Sequence, residues 1–177
     1  MLRKILVALD GSEHAAKALD LAVDLANIYK AELVALSVAT DSPATNEERR
    51  LAQTEFRGEV QQALTGPAFS LGPRTTESNA AALVEMSSEV GLTVRRAIGR
   101  QVTMQAELAA RNKGVANVRV RVESGDPAST IVAVAAAEKP DMLVMGSRGL
   151  GNLQGLLMGS VSHKVSHLAP CTVVTVK

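Results

Sequence analysis

A chain of 177 residues with a formal net charge of +1 is short enough for one domain, residues 1–177, and carries no excess of positive charge to attract nucleic acid or an anionic membrane. Aromatic residues make up 2% and tryptophan is absent, which removes the stacking platform of single-strand binders, while a hydrophobic fraction of 46% suffices for a core. One cysteine, Cys171, excludes an internal disulfide and a cysteine-only metal site, and reads as a small buried hydrophobe at the start of a strand. No apolar run approaches the ~18 residues of a membrane helix. The N-terminal run Leu2–Leu9 is interrupted by Arg3 and Lys4 and closed by Asp10, unlike a signal-peptide core. The expectation is a soluble, cytoplasmic protein that engages neither membrane nor nucleic acid.

In chain order, Ile5–Leu9 is a short aliphatic run of the kind that forms a strand buried on both faces. Asp10-Gly11-Ser12 stops it, and Ser12 or Asp10 can cap the helix that follows. That helix, His14–Tyr29, carries apolar residues at 15, 18, 19, 22, 25 and 26, and Leu33–Ala39 is a second strand. The first forty residues are thus a βαβ unit with parallel pairing.

The middle is polar and punctuated. Asn46–Leu64 favours helix, and Thr65–Thr76 holds Gly66, Pro67, Gly72 and Pro73 and reads as a loop. From Asn79 to Asn112 a long helical pattern places apolar residues at 83, 86, 90, 94, 97, 98, 102, 104, 108 and 109, with Gly91 and Gly99 as points of bending or breakage. This helix serves either as a core-facing element that overhangs the sheet or as a surface for a partner.

Val118–Val122 is a strand with Arg119 and Arg121 at period two, as near a sheet edge. Gly125-Asp126 turns into a helix with Pro127 at its first position, running through Lys139. Met142–Met145 is a strand, Ser160–Leu168 a helix and Thr172–Val176 a closing strand. The order predicts a three-layer α/β/α sandwich around a mostly parallel, five-stranded, doubly wound sheet of Rossmann-like type.

The strand at 142–145 leads into Gly146-x2-Gly149-x9-Gly159-Ser160. Glycines let backbone N–H groups approach an anion, and a helix N-terminus adds unpaired donors and a positive dipole end. Ser160 can supply a hydroxyl or cap that helix. The pattern is not a Walker A loop, since the chain has no Gly-Lys-Ser/Thr, and Gly146, Gly149 and Gly151 do not match the dinucleotide fingerprint. A tight turn that binds nothing remains the alternative. Ligands of doubly wound sheets bind outside the carboxyl ends of the strands, which puts Asp10 on the same rim as the loop. Its carboxylate can accept from ribose hydroxyls or simply organise a turn.

The segments ILVALDGSEHAAKALDLAVDLA, GDPASTIVAVAAAEKPDMLVMGSRG and GSVSHKVSHLAPCTVVTVK resemble the universal stress protein family, over about residues 1–40 and 115–177. The glycine signature is that of its nucleotide-binding branch. The resemblance implies an ATP site between the first and fourth strands, with ADP or AMP as alternatives and Mg²⁺ as an accompanying ion. Asp10 would contact the ribose, and Ala8, Leu9 and Met145 would line the adenine pocket. Val38 would meet the adenine edge through its backbone. Gly146 and Gly149 would let the loop wrap ribose and phosphates, and Gly159 and Ser160 would hold phosphates through N–H groups and the Ser160 hydroxyl. Arg148 would either neutralise phosphate or face solvent. The resemblance also implies a homodimer through Thr172–Val176. Residues 41–114 depart from the family pattern and read as an extended helical insert.

The residues do not assign catalysis. Asp10 and Asp126 stand at no diagnostic spacing for phosphoryl transfer. His163 and His167 share a helix face without the glutamate of a zinc-peptidase helix, and read as surface decoration. The expectation is an ATP-binding regulatory dimer of the stress response rather than an enzyme. A slow ATPase and a nucleotide-independent interaction module are the alternatives.

Overall fold

In a computed structural model of the chain, residues 1–40, 88–150 and 158–177 are described. The helical expectation for 46–64, the loop at 65–76, residues 79–87 of the long pattern and Gly151 lie outside these residues.

The elements are β1 (Lys4–Ala8), α1 (Glu13–Tyr29), β2 (Glu32–Ala39), α2 (Ser88–Asn112), β3 (Val118–Ser124), α3 (Pro127–Glu138), β4 (Met142–Gly146), α4 (Ser160–Leu168) and β5 (Thr172–Val176). The five strands are all parallel, in the order β3-β2-β1-β4-β5. The order reverses between β1 and β4, where such sheets open a crevice.

Alternation along the strands sends side chains to two cores. Ile5, Val7, Leu33, Ala35 and Val144 pack with α1 and α2, whereas Leu6, Val34, Leu36, Leu143 and Met145 pack with α3 and Val165 of α4. Among the described residues two helices cover each face of the sheet, which is why the central strands read as unbroken aliphatic runs rather than as alternating ones.

Local chemistry fixes the helix ends. The Ser12 side chain accepts from Ala15 N–H to cap α1, and Asp126 accepts from Ser129 N–H to cap α3, with Pro127 at the first turn. Both helices stop on a lysine in the left-handed region, Lys30 (φ 54°) and Lys139 (φ 49°).

Two sequence expectations change here. The long helix runs unbroken from Ser88 to Asn112 through Gly91 and Gly99. A β-carbon at Gly99 would stand 3.2 Å from both Ser37 Oγ and Val122 Cγ1, so this glycine lets helix and sheet approach closely and does not break the helix. The buried face of α2 also differs from the apolar stripe read from the sequence. Val94, Ala97, Val102, Thr103, Ala106 and Ala110 are buried, whereas Met104 and Leu108 are 59% and 63% exposed. Close helix–sheet approach selects small residues and turns the bulky ones outward.

At the far rim of the sheet, Lys4, Glu32, Arg119, Arg121 and Glu138 form a linked set of ion pairs across β1, β2, β3 and the end of α3. Arg119, donating through two guanidinium nitrogens, is the main reason that the Glu138 carboxyl falls to a pKa of about 2.

Candidate functional site

The crevice at the switch point holds a cavity of about 280 Å³. Ala8, Leu9 and Asp10 line it from the end of β1, Val38 from β2, and Met145, Gly146, Arg148 and Gly149 from β4 and its loop. Gly159 and Ser160 close it from the start of α4. Every residue that the family resemblance assigned to a nucleotide site therefore borders one space, although the two halves of the set lie more than a hundred positions apart.

Its inner wall is apolar. Ala8, Leu36, Ile131 and Met145, all within the α3–α4 core, meet Val38 and Pro127 there. Leu9 borders the cavity while its side chain packs in the opposite core.

The backbone of Val38 supplies polarity within this wall. Leu36 O accepts from Leu9 N–H, so residue 36 directs its polar backbone toward β1. Two residues on, with period two, Val38 aims its N–H and C=O the same way, beyond the last β1 residue. Ala39, of the opposite phase, accepts from Gly125 N–H on the β3 side. Val38 thus offers an adjacent donor and acceptor to the cavity.

Asp10 lies at the opening. Its Oδ1 accepts from Ser12 N–H at 3.0 Å and its Oδ2 from Leu150 N–H at 3.2 Å, tying the β1–α1 turn to the glycine loop. Asp10 is therefore a turn organiser, and Ser12 is the α1 cap. Its two oxygens retain further acceptor positions. A β-carbon at Gly149 would run into Asp10 Oδ2, so any other residue there would push this carboxylate from its present position. At Gly146 a β-carbon would stand 2.8 Å from Arg148 O and 2.9 Å from His14 Cβ.

Ser147, buried behind the loop and missed by the sequence reading, holds the cradle in place. Its N–H donates to Val176 O at 2.7 Å, and its carbonyl accepts from Gly159 N–H at 2.8 Å and from Ser162 Oγ at 2.7 Å. Its hydroxyl is 3.1 Å from His14 Nδ1. One residue thereby joins β4, β5, α1 and the start of α4.

These bonds refine two expectations. Gly159 N–H is engaged by Ser147 O and is not an open donor. Ser160 is the first helical residue rather than the cap; the cap is Gly159, which offers no side chain. The donors that α4 directs toward its N-terminus are those of Ser160, Val161 and Ser162, which have no intrahelical acceptor. Gly159 has φ −75° and ψ 158°, and the nearest atom to a β-carbon there would be Ser147 O at 3.4 Å. Among the described residues, nothing demands glycine at this position.

Other residues weighed from the sequence stand outside the cavity. His163 and His167 stack edge to face on the exposed side of α4, with ring centroids 4.7 Å apart. Cys171 is half-buried against the α3–α4 core, and burial raises its thiol pKa. Among the described residues no cluster of three or more His, Cys, Asp or Glu side chains is placed to hold a metal ion, and no helix is long and apolar enough to cross a membrane.

A parallel five-stranded doubly wound sheet with helices on both faces and a cavity at its reversal point defines a Rossmann-like α/β fold. The model of the universal stress protein family matches residues 1–177. Universal stress protein YxiE of Bacillus subtilis is 33% identical over 177 residues, covering 100% of both chains. Among solved structures, the universal stress protein UspA of Lactobacillus plantarum superposes with a TM-score of 0.72 at 22% identity, over 99% of this chain and 98% of that one. A universal stress protein solved in complex with cAMP gives a TM-score of 0.61 at 22% identity, over 99% and 97%. One from Arabidopsis thaliana with AMP bound gives 0.56 at 19% identity, over 99% and 91%. The chain belongs to the universal stress protein family.

Proposed function

We propose that the chain binds an adenine nucleotide, ATP foremost, in the cavity between the ends of β1 and β4, and works as a regulatory dimer in the stress response. The observation that carries this reading is Gly159. Among the described residues a β-carbon there would meet only ordinary contacts, yet the position borders the cavity at the start of a helix with no side-chain cap, where a phosphate needs close access to N–H donors. The rest of the cavity suits the remaining parts of such a ligand. The apolar slot fits a flat base, the Val38 N–H and C=O match a base edge, and Asp10 offers acceptors to ribose hydroxyls. Relatives of the same fold solved with cAMP and AMP are consistent with this. Mg²⁺ would arrive with the phosphates.

The dimer would form through β5. Its outer edge pairs with no strand among the described residues, and its sequence, TVVTV, carries no charge to discourage pairing. The binding reading is tested by equilibrium dialysis of labelled ATP against wild type and Gly159→Val. The reading requires binding by wild type and its loss in the variant, and equal binding by both would refute the assignment of α4 as the phosphate cradle.

A further inference from the structure

The charged side chains that line the cavity among the described residues are Asp10 and Arg148, whose charges cancel. A di- or triphosphate would therefore enter a site without net positive charge. The next cation along α4 is Lys164. It lies four residues after Ser160 and so shares a helix face with a residue of the cavity wall. Side chains on a helix lean toward its N-terminus, which carries the Lys164 stem back toward Ser160.

The partners that Lys164 has here are weak. Its Nζ is 3.4 Å from Asp126 Oδ1 and 3.4 Å from Ser129 Oγ, and its side chain is 50% exposed. Asp126 does not depend on it, since the carboxylate also accepts from Ser129 N–H at 3.0 Å and Ser129 Oγ at 2.6 Å. Releasing the lysine leaves Asp126 capping α3. The ammonium also stands beside the N-terminus of α3, one residue before cavity-lining Pro127, and one turn from that of α4. Both dipoles disfavour a cation there and favour an anion.

We propose that Lys164 is a phosphate-binding residue of the nucleotide site that leaves Asp126 for the outer phosphates when a di- or triphosphate binds. It would set the preference of the site for ATP and ADP over AMP and adenosine. This inference rests on the nucleotide reading of the cavity, and it assigns a selectivity to a residue outside the glycine signature.

The test is calorimetric titration of ATP, AMP and adenosine into wild type, Lys164→Ala and Asp126→Asn. Asparagine keeps the α3 cap and removes the charge that holds the lysine back. The expected result is ATP affinity reduced about five- to tenfold in Lys164→Ala, as for one charge-assisted contact at an exposed site. Adenosine affinity should be unchanged, and Asp126→Asn should bind ATP more tightly than wild type. A bridge that merely braced α3 against α4 would make both variants weaken all three ligands together, which would overturn the proposal. Unchanged ATP binding in Lys164→Ala would overturn it too, while leaving the nucleotide reading intact. Failure of wild type to bind any of the three would remove both.

Discussion

Replacing Gly159 with alanine separates folding from binding at one atom. The backbone there is extended, φ −75° and ψ 158°, which alanine adopts without strain. The new methyl would meet Ser147 O at 3.4 Å, Arg148 Cα at 3.6 Å and Ser162 Oγ at 3.6 Å, all ordinary contacts. Lower chain entropy in the unfolded state stabilises the variant by about 0.4–1 kcal/mol, and the poorer capping preference of alanine offsets roughly that much. Net stability should stay within about 0.5 kcal/mol of wild type. A phosphate drawn against the start of α4 would meet the same methyl. Overpacking of that kind costs about 1–3 kcal/mol, a loss of roughly five- to 150-fold in affinity. Gly149→Ala is the control of opposite character. Its methyl would collide with Asp10 Oδ2 and displace the carboxylate from Leu150 N–H, so it should lose about 1–2 kcal/mol of stability as well as binding. Urea unfolding and ATP titration of both variants give the four numbers. The reasoning fails if Gly159→Ala binds ATP like wild type, or if it is destabilised as much as Gly149→Ala.

Further outcomes follow from the same geometry. Glu138 is held at a pKa of about 2 against an ordinary 4.5, so its ion pairs stabilise the fold fully above pH 4.5 and lose that contribution as pH falls from 4.5 toward 2. Glu138→Gln should therefore cost about 1–2 kcal/mol at pH 7 after screening and progressively less below pH 4, read by urea unfolding at each pH. Asp10→Asn keeps an oxygen for one backbone donor but loses the charge and one acceptor; it should weaken adenosine and ATP by a similar factor, since both carry the ribose, as titration of the two ligands would show. In β5, Val176 O accepts from Ser147 N–H, so Thr175, of opposite phase, points its N–H away from β4. Thr175→Pro should spare the β4–β5 ladder and convert a dimer to a monomer in sedimentation, whereas a persisting dimer would place the interface elsewhere.

The central strands were legible because they are covered on both faces and read as aliphatic runs, β3 because Arg119 and Arg121 alternate with valines, and Asp10-Gly11-Ser12, Gly125-Asp126-Pro127 and Gly146 marked where strands end. Ser12 and Pro127 marked helix starts through local chemistry that acts over three or four residues, whereas Asp126, read as part of a turn, is the α3 cap. The ends of α1 and α3 fell where the apolar pattern stopped, at Tyr29 and within one residue of Lys139, although lysine rather than glycine takes the left-handed position at 30 and 139. The inward face of α2 was obscured by its own composition: alanine, glycine and threonine carry little hydrophobic signal, and Met104 and Leu108 carry a strong one toward solvent. In the cavity, the glycine spacing and Asp10 announced themselves. Pro127 and Ile131 did not, because their place on the wall depends on how α3 crosses the sheet. Ser147 was hidden inside the motif, since a serine whose backbone bonds to β5 and to the start of α4 is indistinguishable in sequence from any loop serine.

The central claim is tested most directly by calorimetric titration of nucleotide-stripped protein with ATP in the presence of Mg²⁺. The account predicts saturable binding at one ATP per chain, through the cavity ringed by Asp10, Gly149 and Ser160. An absence of heat up to millimolar ATP would contradict it, and would leave the glycine loop as the structural support that joins β4, β5 and α4.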